Sequence, residues 1–276
     1  MIKMKAEEIR QVQLDMLEAF AKFCNENGLR YFLDAGSLLG AIRHNGFIPW
    51  DDDIDLGMPR SDYERAILLG KNGFGDHYRI MAAEEGIYPF AKVIDIRTEM
   101  IEFPDTHRNK IGVYMDLFPK DGVQDFSKKW HKKCKRVEFL VKVYWFNKLS
   151  IYTWKKHGNI IKKIIAWFGR RLITEKMRYK PLKKLDKLAK ELPFDEAPYC
   201  ATIVAGGMAN CVPTECLNQY ELHKFEHLQV NIPVGYDQYL RKLYSRINNG
   251  DYMVLPPEEK RVKHDNEAYW IEEADD

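Results

Sequence analysis

From Lys5 to Asn27 the apolar residues Ile9, Val12, Met16, Phe20 and Phe23 recur at spacings of three and four, and Gly28 follows. That period predicts an amphipathic helix with one buried stripe, stopped by a glycine able to take a left-handed C-terminal conformation. The run LRYFLDAG then reads as a short buried strand. Ser37 is placed to cap a short helix, LLGAIR, before the turn residues Asn45, Gly46 and Pro49. DIDLGM reads as a strand with Asp53 and Asp55 on one face and Ile54 and Leu56 on the other. SDYE predicts a helix opened by a capping box, Ser61 reaching forward and Glu64 reaching back. Further strands are expected at YRIMAA, at FAKVIDIRTEMIEF and at IGVYMDLF. In the last, Ile111, Val113, Met115 and Leu117 alternate with Gly112, Tyr114, Asp116 and Phe118, so Asp116 points away from the apolar face.

With 276 residues, 45% of them hydrophobic, the chain can bury a substantial core. Its net charge of +2 hides an asymmetry: residues 128–190 carry 21 Lys or Arg against Glu138, Glu175 and Asp186. That stretch is expected to be helical, with Trp145, Phe146, Trp154, Trp167 and Phe168 interleaved among the lysines. Three parts are therefore expected: an α/β core over 1–127, a basic aromatic-rich helical region over 128–190, and a C-terminal part, 191–276, that returns to complete an active site. The five cysteines are odd in number and contain no CxxC pair, and the start MIKMKAEEIR lacks the apolar core of a signal peptide, so a reducing cytoplasmic location is expected. The longest charge-free stretch, Ala197 to Thr214, is broken by Pro198, Gly206, Gly207, Asn210 and Pro213 and suits a buried strand and turn better than a membrane span.

The sharpest local feature is Trp50-Asp51-Asp52-Asp53-Ile54-Asp55. Two carboxylates about 5 Å apart repel by roughly 3 kcal/mol at an effective dielectric near 20, so a cation between them is what keeps both ionised. An all-oxygen site suits a hard divalent ion, Mg²⁺ or Mn²⁺. An EF-hand loop is excluded: counted from Asp51, its required Gly and Glu fall on Leu56 and Asp62. Upstream, Gly36-Ser37 lies where a strand turns into a helix, a place where backbone N–H groups and the helix dipole receive phosphate. Asp116 on a neighbouring strand would complete a three-carboxylate ring. His223 and His227 are four apart but lack the glutamate of an HExxH site, and a structural role is expected.

Those residues carry a resemblance. The run DAGSLLGAIRHNGFIPWDDDIDLGMPRSDYE resembles the signature of the LicD family of phosphocholine transferases, itself similar to the fukutin-related proteins that transfer ribitol phosphate. YPFAKVIDIRT and GVYMDLFPKDGV resemble its middle blocks, and FEHLQVNIPVGYDQYLRKLYSRINNGDYMVLPPEEKRVKH its C-terminal block, where YSRINNGDYM replaces a commoner, shorter YGDYM. The resemblance implies an α/β (α+β) nucleotidyltransferase-like core with a mixed sheet. Residue by residue it implies phosphate contact at Gly36 and Ser37, and catalysis and metal ligation at Asp53, Asp55 and Asp116. Asp51 matches a further acidic position. Arg43 and Lys92 are candidates to neutralise the phosphate, and His264 to contact substrate or move a proton.

The activity implied is metal-dependent transfer of phosphocholine from CDP-choline to a sugar hydroxyl of a lipid-linked glycan or teichoic acid precursor, releasing CMP. Choline needs aromatic faces, for which Trp50 and Tyr88 are the candidates. One rival is a transferase of ribitol or glycerol phosphate from a CDP donor. Another is an inert membrane-associated binding protein, against which the complete set Gly36, Ser37, Asp53, Asp55 and Asp116 argues. The basic region is expected to dock peripherally on the anionic inner face of the cytoplasmic membrane, and no nucleic-acid partner is expected because no recognised binding motif is present.

Overall fold

A computed structural model describes residues 1–102, 109–125, 127–148, 175–205, 211–246, 250–261 and 267–271. The first predicted helix is α1 (Ala6–Glu26), which buries Val12, Met16, Leu17, Phe20 and Phe23 and ends with Gly28 at φ +59°. Each such side chain contributes roughly 1.5–3 kcal/mol by leaving water. Next come strand β2 (Phe32–Leu33), helix α2 (Ala35–His44), strand β3 (Asp55–Pro59) and helix α3 (Arg60–Gly70). Two expectations are corrected here. Asp34, not Ser37, caps α2, its carboxylate accepting from the Ala35 N–H at 2.9 Å, so the helix starts two residues before Ser37. The capping box at Ser61 does not form, because α3 starts at Arg60 behind Pro59 and so places Ser61 inside the helix, and Glu64 pairs with Lys190 instead.

The expected strand IGVYMDLF ends at Phe118, yet β8 (Tyr114–Val123) continues through the charged, glycine-containing run that follows. It can do so because each charge finds a partner. Lys120 is bonded to Asp34, and Asp121 accepts from Arg60 Nε at 2.6 Å and from the Ile203 N–H at 3.2 Å. β8 is the centre of a seven-stranded mixed sheet. It runs parallel to β3 on one side; on the other it meets β5 (Ala91–Asp95) and then β9 (Tyr199–Ala201), both antiparallel. β4 (Tyr78–Met81) extends the sheet beyond β5, β10 (Val212–Pro213) beyond β9, and β2 beyond β3. β9 and β10 lie in the charge-free stretch, and among the described residues no helix is long and apolar enough to cross a membrane.

The expected long strand FAKVIDIRTEMIEF is broken at Asp95, whose carboxylate bonds the backbone and guanidinium of Arg97. Its second half, β6 (Thr98–Glu102), leaves for a separate sheet of order β1 (Ile2–Lys3), β13 (Glu267–Trp270), β6 and β7 (Asn109–Ile111). A hairpin of β11 (Tyr220–Phe225) and β12 (Leu228–Pro233) packs its apolar face on the core and precedes α6 (Tyr236–Leu243). His223 therefore sits on a strand, against the Ala41 carbonyl, and His227 in the hairpin turn. The basic region supplies α4 (Lys128–Lys148) and α5 (Glu175–Ala189), which enclose a second apolar cluster with Val123 and Ile203. Trp154, Trp167 and Phe168, and the side chains of Trp145 and Phe146, lie outside the described residues. All five cysteines are free and buried.

Between these layers sits a buried polar knot. Lys120, only 1% exposed, is bonded to Asp34, to Thr202 Oγ1 at 3.0 Å and to the Tyr239 hydroxyl oxygen at 3.0 Å, while that hydroxyl donates to Asp34 at 2.5 Å. The lysine stem crosses the sheet above Gly57, where a Cβ would stand 2.5 Å from the Phe32 ring and 2.9 Å from Lys120 Cε. Removing the ammonium strands a buried carboxylate. Lys120→Met is expected to lower the unfolding free energy in urea by about 3–5 kcal/mol, and adding Asp34→Asn to recover a large part of it. A loss below about 1 kcal/mol for the single variant would remove the knot from the fold's supports.

Candidate active site

Strand register creates the centre of the site. Asp55 on β3 lies opposite Asp116 on β8, and Asp116 lies opposite Lys92 on β5, so three candidate side chains form one rung across adjacent strands. Asp53, just ahead of β3, completes the group: ligand oxygens of Asp53, Asp55 and Asp116 all lie within 4.8 Å of one another. Asp51, Asp52 and Asp53 form a second such group, which brings in Asp52, a residue the sequence reading passed over. The loop that carries them is tied to α1. Arg10 donates to the carbonyls of Pro49 at 3.0 Å and Asp51 at 2.9 Å, and Gln13 to those of Asp52 at 2.8 Å and Tyr114 at 3.2 Å.

The first turn of α2 grips Asp55 from the other side. The Gly36 N–H donates to Asp55 Oδ2 at 3.0 Å, and the buried Ser37 hydroxyl accepts from the Asp55 N–H at 2.8 Å. Ser37 is thus a strap between helix and strand. A Cβ at Gly36 would meet Asp51 Oδ2 at 3.0 Å and Asp55 Oδ2 at 3.3 Å, so only glycine lets the helix end approach both carboxylates. The turn that delivers it is strained: Ala35 has φ +38°, an uncommon conformation for a residue with a Cβ.

Burial and mutual repulsion mark these carboxylates. Burial first, then the charges of Asp53, Asp116, Asp34 and Asp51, push Asp55 well above the ordinary carboxylate range. Burial also raises Asp116, to about 6, with Lys92 opposing the shift. Lys92 Nζ donates to Asp116 at 2.5 Å and stands 3.8 Å from Glu102. Its ammonium is also caged by rings, 3.3 Å from the centroid of Tyr114, 4.2 Å from Tyr88 and 5.9 Å from Phe90. The Tyr88 ring therefore faces the lysine cation, while its hydroxyl donates to Glu102 at 3.0 Å.

A cavity of about 330 Å³ opens beside the carboxylates. It is lined by Asp51, Asp53 and Asp55, by the predicted Gly36, Arg43 and Trp50, and by Tyr244, Tyr252 and Arg261. Arg43 donates to the Tyr252 carbonyl at 2.9 Å, and the Arg261 guanidinium stacks over the Trp50 ring at 4.3 Å. Tyr244, Tyr252 and Arg261 were not singled out from the sequence, although all three stand in the C-terminal block whose resemblance was visible there. His264 lies outside the described residues.

Residues 28–139 match the family model described as LicD/FKTN/FKRP, nucleotidyltransferase domain. The chain is 31% identical over 283 aligned residues, covering 98% of itself and 99% of its relative, to the lipopolysaccharide cholinephosphotransferase LicD of Haemophilus influenzae. It is 36% identical over 84 residues to the human ribitol 5-phosphate transferase FKRP, covering 23% of this chain and 17% of that protein. It is 34% identical over 65 residues to the human ribitol-5-phosphate transferase FKTN, covering 24% and 14%. A likeness running the length of one relative, over a mixed nucleotidyltransferase-like sheet that gathers Asp53, Asp55 and Asp116, means that the chain belongs to the LicD family.

Proposed function

We propose that this protein transfers phosphocholine from CDP-choline to a sugar hydroxyl of a lipid-linked glycan or teichoic acid precursor. The observation that carries the reading is the gathering of Asp53, Asp55 and Asp116, the first two of which line a cavity walled by Trp50, Tyr244 and Tyr252. The oxygen-only donor set, buried enough to raise the proton affinity of Asp55 and Asp116, fits a hard divalent cation. Asp53, Asp55 and Asp116, with Asp51 at the margin, would hold Mg²⁺ or Mn²⁺, which supplies charge compensation to diphosphate oxygens.

The remaining chemistry falls to side chains. Arg43 and Arg261 line the cavity and offer guanidinium groups to the phosphates. Trp50 already carries a cation on its face, the geometry that a quaternary ammonium would reuse when Arg261 turns toward phosphate. The acceptor oxygen attacks the phosphorus that bears choline; the bond from that phosphorus to the bridging oxygen breaks, and CMP leaves with the electron pair. Asp116, whose carboxyl is raised by burial to about 6, is the candidate to take the hydroxyl proton, with Lys92 holding it in place. The H. influenzae relative is named for cholinephosphate transfer, which supports choline over a polyol.

In the donor experiment, CMP release is followed with CDP-choline, CDP-ribitol and CDP-glycerol, each with and without Mg²⁺, beside calorimetric titration of the same donors. Divalent-dependent turnover of CDP-choline is expected; preference for a polyol donor would transfer the activity to ribitol or glycerol phosphate, as the names of FKRP and FKTN suggest. Asp55→Asn should lower kcat/KM by about 100-fold or more, the scale of losing a preorganised electrostatic group, while raising the melting temperature of the metal-free chain. Trp50→Ala should raise KM for CDP-choline by about threefold to thirtyfold and leave turnover of any polyol donor much less changed.

A pH series tests the carboxylates. Asp55 and Asp116 keep protons that an unfolded chain, ionising near 4, has already lost, so their contribution to metal-free stability falls as pH rises from about 4 through 6 and beyond. A divalent ion requires the ionised forms. The melting-temperature gain from Mn²⁺ should therefore be larger at about pH 7.5 than at about pH 5.5, and vanish in the Asp55→Asn, Asp116→Asn variant. Equal gains at both pH values would take these carboxylates out of the metal site.

A further inference from the structure

At the end of β8 remote from Asp116, Gly122 and Val123 run into a cavity of about 440 Å³ between the strand, α4 and α5. Its floor is apolar, made by buried Val123 and Trp130 and half-buried Leu188. Its rim is cationic, with Lys129, Lys132, Lys133 and Arg136 at helical spacings that set them along one side of α4. Two acids, Asp125 and Glu191, share the rim, and Glu191 pairs with Lys133 at 2.9 Å. That leaves Lys129, Lys132 and Arg136, all exposed, as the cations facing solvent.

Two further observations point to the occupant. The indole N–H of Trp130 is buried, in a residue only 5% exposed, and has no acceptor among the described residues. A ligand oxygen entering the cavity would satisfy it. Phe139 follows Lys132 by seven positions and Arg136 by three, so it continues their stripe, and it is 64% exposed. Cations beside a bare aromatic ring, over an apolar floor, match an interface where phosphate meets hydrocarbon.

We propose that this cavity binds the phosphate headgroup of an anionic membrane lipid, with Lys129, Lys132 and Arg136 around the phosphate and Phe139 inserted among the adjoining acyl chains. The apolar floor at Trp130 receives the glycerol end of the lipid. Gly122 follows Asp116 by six positions along β8, about 20 Å at the rise of a strand, so the lipid leaves the carboxylates open to their own substrates. The site is independent of which donor the carboxylates use.

The test is flotation of the full chain with phosphatidylcholine vesicles, with and without phosphatidylglycerol. Binding is expected only with phosphatidylglycerol. The Lys129→Ala, Lys132→Ala, Arg136→Ala variant should weaken it about tenfold or more, and Phe139→Ser should weaken it as well, both with unchanged melting temperature. The equally charged Lys180→Ala, Lys183→Ala, Lys184→Ala variant on α5 should bind like the parent. Brominated phosphatidylglycerol should quench tryptophan fluorescence, with the quench reduced in Trp130→Phe. Three results would overturn the proposal: no flotation of the parent, equal weakening by the α4 and α5 variants, or full displacement by inorganic phosphate where chloride of the same ionic strength displaces nothing. The second would mean diffuse attraction, and the third a site for the free anion.

Discussion

Lys92, Asp116 and Asp55 stand in one row across three adjacent strands, and the rest of the molecule is arranged around that row. Neighbouring strands are about 4.8 Å apart, so backbone pairing sets the two carboxylates at a distance that their charges oppose. The lysine on one flank and the Gly36 N–H on the other meet part of that cost. What is left over appears as the raised proton affinity of Asp55 and Asp116. A divalent cation at the proposed site would replace those protons, and the repulsion that weakens the bare fold would then contribute to its binding.

The row is held true by a second set of charges below it. Asp34 caps the helix whose next residues, Gly36 and Ser37, grip Asp55. Asp34 is in turn fixed by Lys120, which springs from the same strand as Asp116 and reaches across the gap left by Gly57. One strand therefore presents a candidate catalytic carboxylate near its start and, four residues later, anchors the helix that positions that carboxylate's partner. Such coupling leaves little freedom at Gly36, where a side chain would meet the Asp51 and Asp55 carboxylates, or at Gly57, where it would meet the Phe32 ring and the Lys120 stem.

Much of this was legible in residue order. The period of α1, the strands around Asp55 and Asp116, and the pairing of a glycine-serine turn with Asp-x-Asp follow from alternation and turn chemistry. The misses share one cause: polar residues were read by their ordinary local habit, and tertiary partners overrode it. Ser37 looked like a cap because Asp34, one turn earlier, was read as part of a strand. Pro119, Lys120, Asp121 and Gly122 were left outside the expected strand because nothing local announces the partners of Lys120 and Asp121. Lys92 looked like a surface charge available to phosphate, whereas it is buried against Asp116 among aromatic rings. Tyr244, Tyr252 and Arg261 sit more than a hundred residues from the carboxylates, and only folding shows which residues of the C-terminal block face them.

That separation has a meaning in time. Tyr239 follows Lys120 by 119 residues, so on a ribosome adding about 5–20 residues each second it arrives roughly 6–24 s later. Through that interval the Asp34–Lys120 pair waits for its hydroxyl, and the carboxylates have no Tyr244, Tyr252 or Arg261 beside them. A nascent chain thus carries the acids but not the walls that would select a substrate. The described cavity wall is complete only after Arg261 has been added.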